Sequence, residues 1–294
     1  MYGFAIEAVA AAAIGVLLVD MAMHRATAER DGLNQWGYRG VIARHRRPGE
    51  QRMVLVGGSA AFGVGTVLDE TIPKYLERNL QQKFRVGYRA IPVTVINLAA
   101  VPDDAASFRR TLRDYHYIDY DIVCFYDGYN SLGPTVDEEG WRRQSATYRH
   151  TGYLPIVPFV ITGASPIGRP RLAAGLAAVP RASMTTATTS TCGPTWERYC
   201  EAMRTAVRDV IDSGRIAIVV TPPLLSAAHG EQQHALAADL SARFGDRPTF
   251  RYLDFGATVD LRDRDLSNDG VHLTARGNDR IADSLTGPVL QMLR

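Results

Sequence analysis

Cysteine is scarce in this chain: Cys124, Cys192 and Cys200 are the only three in 294 residues, too few for a disulfide framework. No C-x-x-C pair or His/Cys cluster supplies four tetrahedral ligands, so no structural zinc site is expected. Charge of either sign is not in surplus. Lys plus Arg number 33 against 31 Asp plus Glu, and a formal charge of +2 makes no broad field to draw in a polyanion. A nucleic-acid partner is therefore not expected. G-x-x-x-x-G-K-[ST] is absent, and the glycine-rich GGSAAFG lacks the G-x-G-x-x-G spacing of dinucleotide loops. Disorder is excluded by a composition that is 46% hydrophobic and 22% charged. The length suits one large domain or two small ones with a sizeable core.

What the chain does have is a long apolar start. The run from Ala8 to Val19 is unbroken, and from Tyr2 to Met23 only Glu7 and Asp20 carry charge. A helix of about 20 residues spans the hydrocarbon core of a bilayer, so residues 1–25 read as a membrane-anchor helix. A cleaved signal peptide fits less well, because no Lys or Arg precedes the run; a core helix is the other alternative. Residues 26–50 read as a basic linker. Arg30, Arg39, Arg44, Arg46 and Arg47 would favour holding this flank in the cytoplasm, yet a large following domain can translocate regardless. The cluster Arg44–Arg47 reads as a solvated loop before it reads as a site for lipid headgroups.

Beyond Met53, short β-rich runs alternate with helical ones. The strand candidates are 53–56, 93–98, 122–126, 216–221 and 249–253, mostly apolar throughout, as strands covered on both faces should be. Helical periodicity is clear over 71–83, 196–213 and 274–293. The alternation predicts an α/β domain over 51–294 with a doubly wound parallel sheet of about five strands. Its ligand site would lie beyond the strands' carboxyl ends. Residues 131–195 break the rhythm and read as a lid-like insertion whose apolar pieces, LPIVPFVI and LAAGLAAV, suit either packing over the core or a surface resting on a bilayer. Cys192 and Cys200 are eight positions apart and could pair in an oxidising compartment, although unpaired thiols are the plainer reading. Cys124, inside a strand, reads as inert filling.

Chemistry is placed at three loops. The first strand ends in VLVGGSAAFGVG, so Ser59 leaves the sheet's carboxyl edge among glycines. Near the C-terminus, DLSNDGVHLTARGN puts Asp269 and His272 three positions apart just ahead of the last helix. A serine nucleophile needs an imidazole to take its proton, and the imidazole needs a carboxylate to fix its tautomer. In DIVCFYDGYNSL the third strand runs into Asn130, whose amide could donate to an oxyanion or merely form an Asx-turn.

These three blocks resemble those of the SGNH hydrolases, also called the GDSL lipase/esterase superfamily, over about residues 50–294. The resemblance implies a flavodoxin-like three-layer α/β/α fold behind the N-terminal apolar helix. It makes Ser59 the nucleophile, Asn130 an oxyanion donor, and Asp269 and His272 the rest of a catalytic triad. No metal or organic cofactor is implied. Gly58 stands where the family's G-D-S has Asp, and Ser131 where Asp usually follows the Asn. The family's second-block glycine falls on Pro102, which has no N–H to donate. The resemblance leaves that donor to Asp103 or Ala100, or to none. NQWGYRG (34–40) and the apolar start also resemble a membrane-anchored bacterial branch associated with surface polysaccharide. That likeness implies an inner-membrane protein with a periplasmic domain. The function expected is a serine esterase or deacylase acting on acyl esters, O-acetyl among them, of a glycan or lipid-linked substrate. The alternatives are an O-acyltransferase partnered by a membrane-bound acyltransferase, and a noncatalytic glycan-binding protein.

Overall fold

The computed structural model describes residues 2–27, 32–86, 91–133, 139–162, 164, 167 and 192–293. Helix α1 (Tyr2–Thr27) comes first, and its exposed flank from Ile6 to Val19 lies outside the domain. Strand β1 (Gln51–Gly57) leads through the one-turn helix α2 (Ser59–Phe62) to α3 (Ile72–Val86), β2 (Val93–Asn97), α4 (Phe108–Asp114) and β3 (Ile122–Tyr126). Two short helices follow, α5 (Ala146–Thr151) and α6 (Val157–Ile161), within the stretch that breaks the strand-helix rhythm. The chain then runs through α7 (Gly193–Asp212), β4 (Ile216–Thr221), α8 (Ala227–Phe244), β5 (Phe250–Asp254) and α9 (Ala275–Met292). The apolar piece 172–179 and the rest of 168–191 lie outside the described residues.

The five strands form one sheet in the order β2-β1-β3-β4-β5, every pair parallel. The expected doubly wound α/β sheet is thus present, with α3 and α9 packed together on one face and α4, α7 and α8 on the other. β1 and β3 are buried on both faces, which explains their unbroken apolar runs. Strand order reverses between them, and in open parallel sheets the ligand crevice lies at such a switch point, where neighbouring loops leave in opposite directions.

Helix α8 was not legible. Its buried face carries His229, Gln232, Gln233 and Asp239 beside Leu236 and Leu240, so polar residues interrupt the apolar stripe that would have announced it. Within the stretch read as a basic linker, residues 33–40 are packed against the domain and residues 41–49 are mostly exposed. Tyr38 is wholly buried, and the Arg39 guanidinium donates to the carbonyls of Phe62, Gly63 and Thr66. Cys192 and Cys200 are joined in a disulfide with Cα atoms 6.4 Å apart. Cys124 is buried, and burial pushes its thiol pKa up.

Candidate active site

β1 delivers Ser59 to the sheet edge as the first residue of α2. Glycine is required on the way: a Cβ on Gly57 would lie 2.1 Å from the Tyr126 carbonyl, and one on Gly58 2.5 Å from Asn130 Nδ2. The β1–α2 and β3 loops therefore touch backbone to backbone. Ser59 is almost fully buried.

Asp269 and His272 come from the turn before α9. Asp269 Oδ1 accepts the N–H groups of Val271 (3.0 Å) and His272 (2.8 Å), while Oδ2 meets His272 Nδ1 at 2.7 Å. Ser267 braces the same turn, accepting from Gly270 N–H and donating to the His272 carbonyl. Burial pushes the Asp269 pKa up, but the hydrogen bonds from His272 and its charge outweigh that and hold the carboxyl below its ordinary value. His272 Nε2 lies 2.9 Å from Ser59 Oγ. With Nδ1–H bound to the carboxylate, the Nε2 lone pair faces the serine hydroxyl. The structure thus brings Ser59, His272 and Asp269 together as one hydrogen-bonded relay across 213 positions of sequence.

Asn130 and Asp103 are also adjacent, but their donors are engaged elsewhere. Asn130 Nδ2 donates to the main-chain carbonyls of Val101 (2.9 Å) and Asp103 (2.8 Å). The Asp103 N–H closes a turn on the Ala100 carbonyl, and the Ala100 N–H bonds the Gly57 carbonyl. Neither expected stand-in for the missing glycine N–H points at Ser59. Ser59 itself opens α2, and an N–H in the first turn of a helix has no intrahelical acceptor.

Several residues of the site were not among those the sequence singled out. Arg142, wholly enclosed, donates to the carbonyls of Leu98 (2.7 Å), Ala99 (3.1 Å) and Gly37, and pairs with the Asp103 carboxylate at 3.3 Å. It fastens the loop after β2 from a position that no local motif marks. Asp127, at the end of β3, accepts from Ser131 Oγ at 2.8 Å. Burial, aided by Asp104 and Asp103, pushes its carboxyl up to about 7. Its place at the carboxyl edge of a strand was the available signal. Behind it, Gln233 donates to the Asp127 carbonyl, and the His229 ring meets that of Tyr129 at a tilt, with centroids 4.9 Å apart. Burial lowers the His229 pKa to about 4.

The cavity touching Ser59 is narrow, about 10 Å³, and is bounded by Tyr126, Gly128, Tyr129, Asn130 and Pro222. A broad cleft of about 810 Å³, lined by Leu224, Ser226, Val259, Arg262 and Gly270, adjoins the Asp269–His272 turn. A third cleft of about 520 Å³ runs along β2 and contains none of the relay side chains. Among the described residues no group of three or more His, Cys, Asp or Glu converges to hold a metal ion.

No protein-family model matches the chain, and no curated protein sequence does. Solved structures do. A family 3 carbohydrate esterase from Clostridium thermocellum is 11% identical, with 83% of this chain and 98% of that one covered at a TM-score of 0.50. A lipase/acylhydrolase from Enterococcus faecalis is 14% identical over 81% of this chain and 96% of its own, at 0.48. A lipolytic protein of the G-D-S-L family from Desulfitobacterium hafniense is 12% identical over 81% and 98%, at 0.47. The likeness to the carbohydrate esterase is one of fold: a parallel sheet with helices on both sides, as in the SGNH hydrolases that the sequence blocks resemble.

Proposed function

We propose that this chain is a serine hydrolase of the SGNH type that cleaves acyl esters through an acyl-enzyme on Ser59. The observation that carries the reading is the relay Ser59 Oγ to His272 Nε2 (2.9 Å) and His272 Nδ1 to Asp269 (2.7 Å). In this mechanism His272 takes the serine proton as Oγ attacks the acyl carbonyl, and Asp269 stabilises the imidazolium. The proton then passes to the departing alcohol, and a water activated by the same imidazole releases the acid. Ser59 N–H receives the oxyanion. Asn130 joins it by exchanging one of its two carbonyl partners for the developing charge, since both amide protons are engaged at rest.

A narrow cavity beside Ser59 next to a wide cleft favours a small acyl group, acetyl among them, on a bulky alcohol such as a glycan. The fold likeness to a carbohydrate esterase points the same way. The apolar helix, long enough to cross a membrane, serves in this reading as a retained anchor. The Cys192–Cys200 disulfide favours an oxidising, extracytoplasmic location for the domain.

The test is p-nitrophenyl acetate hydrolysis by the full chain in detergent, with Ser59→Ala and His272→Ala beside it. Loss of turnover in both, with a fluorophosphonate adduct on Ser59 in the parent, supports the assignment. Equal rates in parent and variants overturn it. Adding an oligosaccharide and weighing the products separates water from a sugar hydroxyl as the acyl acceptor.

A further inference from the structure

Asp20 is the one charge near the inner end of the apolar run, and it is buried. Its Oδ1 accepts the main-chain N–H groups of Ile156 (2.8 Å) and Val157 (2.7 Å), the first donors of α6. The side chain of α1 thus caps α6 from outside, while Tyr153 donates its hydroxyl to Oδ2 at 2.5 Å. One turn further on, the His24 ring bonds the carbonyls of Leu33 (2.7 Å) and Leu154 (2.9 Å). Helix α1 is therefore bolted to the domain at Asp20 and His24.

This fixes a height. From Tyr2 to Val19 the helix is about 27 Å long, close to the roughly 30 Å hydrocarbon core of a bilayer. Asp20 then falls at the membrane boundary, and α6 begins within hydrogen-bonding distance of it. Helix α6 packs against α1 and turns Phe159 inward onto Trp141, with ring centroids 5.7 Å apart. On its other side Val160 is 54% exposed and Ile161 79%. Two large aliphatic side chains are thus left uncovered on a helix packed against α1, whose Leu18 and Val19 are exposed as well.

We infer that α6 is a second membrane contact, its Val160 and Ile161 seated in the bilayer interface beside the point where α1 enters. The inference rests on reading α1 as a retained anchor. The occupant is lipid rather than protein, because α6 packs against α1 and starts at Asp20, the level at which the anchor leaves the bilayer. Through Trp141, whose main-chain N–H donates to the Asp103 carboxylate at 3.3 Å, the seated helix also steadies the loop beside Ser59.

The test uses the full chain reconstituted in vesicles of phosphatidylcholine and phosphatidylglycerol. Single cysteines at Leu17→Cys, Ile161→Cys and Ser241→Cys carry an environment-sensitive nitrobenzoxadiazole label. The native thiols do not compete, since Cys124 is buried and Cys192 is joined to Cys200. Expected is blue-shifted emission at 161 that shallow doxyl lipids quench several-fold more than at 241 on α8. Deep doxyl lipids quench best at 17. Quenching at 17 without quenching at 161 leaves the anchor standing and overturns the inference. No quenching at either position defeats the anchor itself. A blue shift at 161 without lipid quenching assigns the face to protein and also overturns the inference.

Discussion

The side-chain amide of Asn130 donates a 2.8 Å hydrogen bond to the main-chain carbonyl of Asp103, so the loops after β2 and β3 are tied together directly beside Ser59. The same amide holds the Val101 carbonyl. Asn130→Ala is expected to lose about 1–3 kcal/mol of stability by leaving buried carbonyls unpaired. It should also slow turnover by about 10²–10³ as the oxyanion loses a donor. Thermal unfolding and steady-state kinetics on the same preparation check both.

Arg142 answers several carbonyls and one buried carboxylate at once. Arg142→Ala should cost about 3–5 kcal/mol, because it removes the buried cation that balances the Asp103 charge. Lysine, a point cation without the planar fork, should recover only part of this. Urea midpoints at constant slope measure the difference.

Asp127 makes stability depend on pH. Its folded-state pKa of about 7 lies above the ordinary carboxyl value, so the native state binds the proton more tightly than the unfolded chain. Its contribution is most favourable below the unfolded pKa, about 4, and declines as pH rises through about 7. Asp127→Asn abolishes that decline, and the variant should gain on the parent by about 2–4 kcal/mol between pH 4 and pH 8. Melting temperatures of both proteins across that range test the sign.

The disulfide between Cys192 and Cys200 closes a loop over eight positions. By chain entropy it contributes about 2–3 kcal/mol. A phosphine reductant should lower the melting temperature of the parent and leave the double serine variant unmoved.

Asp269→Asn keeps the shape of the turn but no longer dictates which His272 nitrogen holds the proton. Hydrolysis should fall by about 10⁴ with the fold intact. Steady-state rates set beside the circular dichroism spectrum decide whether chemistry alone was lost.

The strands were legible because the sheet is covered on both faces, so each central strand had to be written as an apolar run. Asp269 and His272 were legible because one turn holds both. Ser59 was legible because a strand must end in small residues to let the β3 loop approach as closely as it does at Gly57 and Gly58. Helix α8 was hidden by its own buried polar residues, which answer to Asp127 and Tyr129 rather than to a hydrophobic stripe. Asp20 read as a tolerated charge in a membrane span; its partners at 156 and 157 lie more than a hundred positions away.

By itself the sequence determined the α/β order of elements, the apolar first helix, and the residue types able to form a relay. Those follow from periodicity and local turn chemistry, which act over a few residues. Only the tertiary structure decided which donors remain for an oxyanion, that Arg142 anchors the loop after β2, and that α1 and α6 meet through Asp20. Hydrogen-bonding capacity is finite, and where each N–H is engaged depends on which distant carbonyl folding brings within about 3 Å.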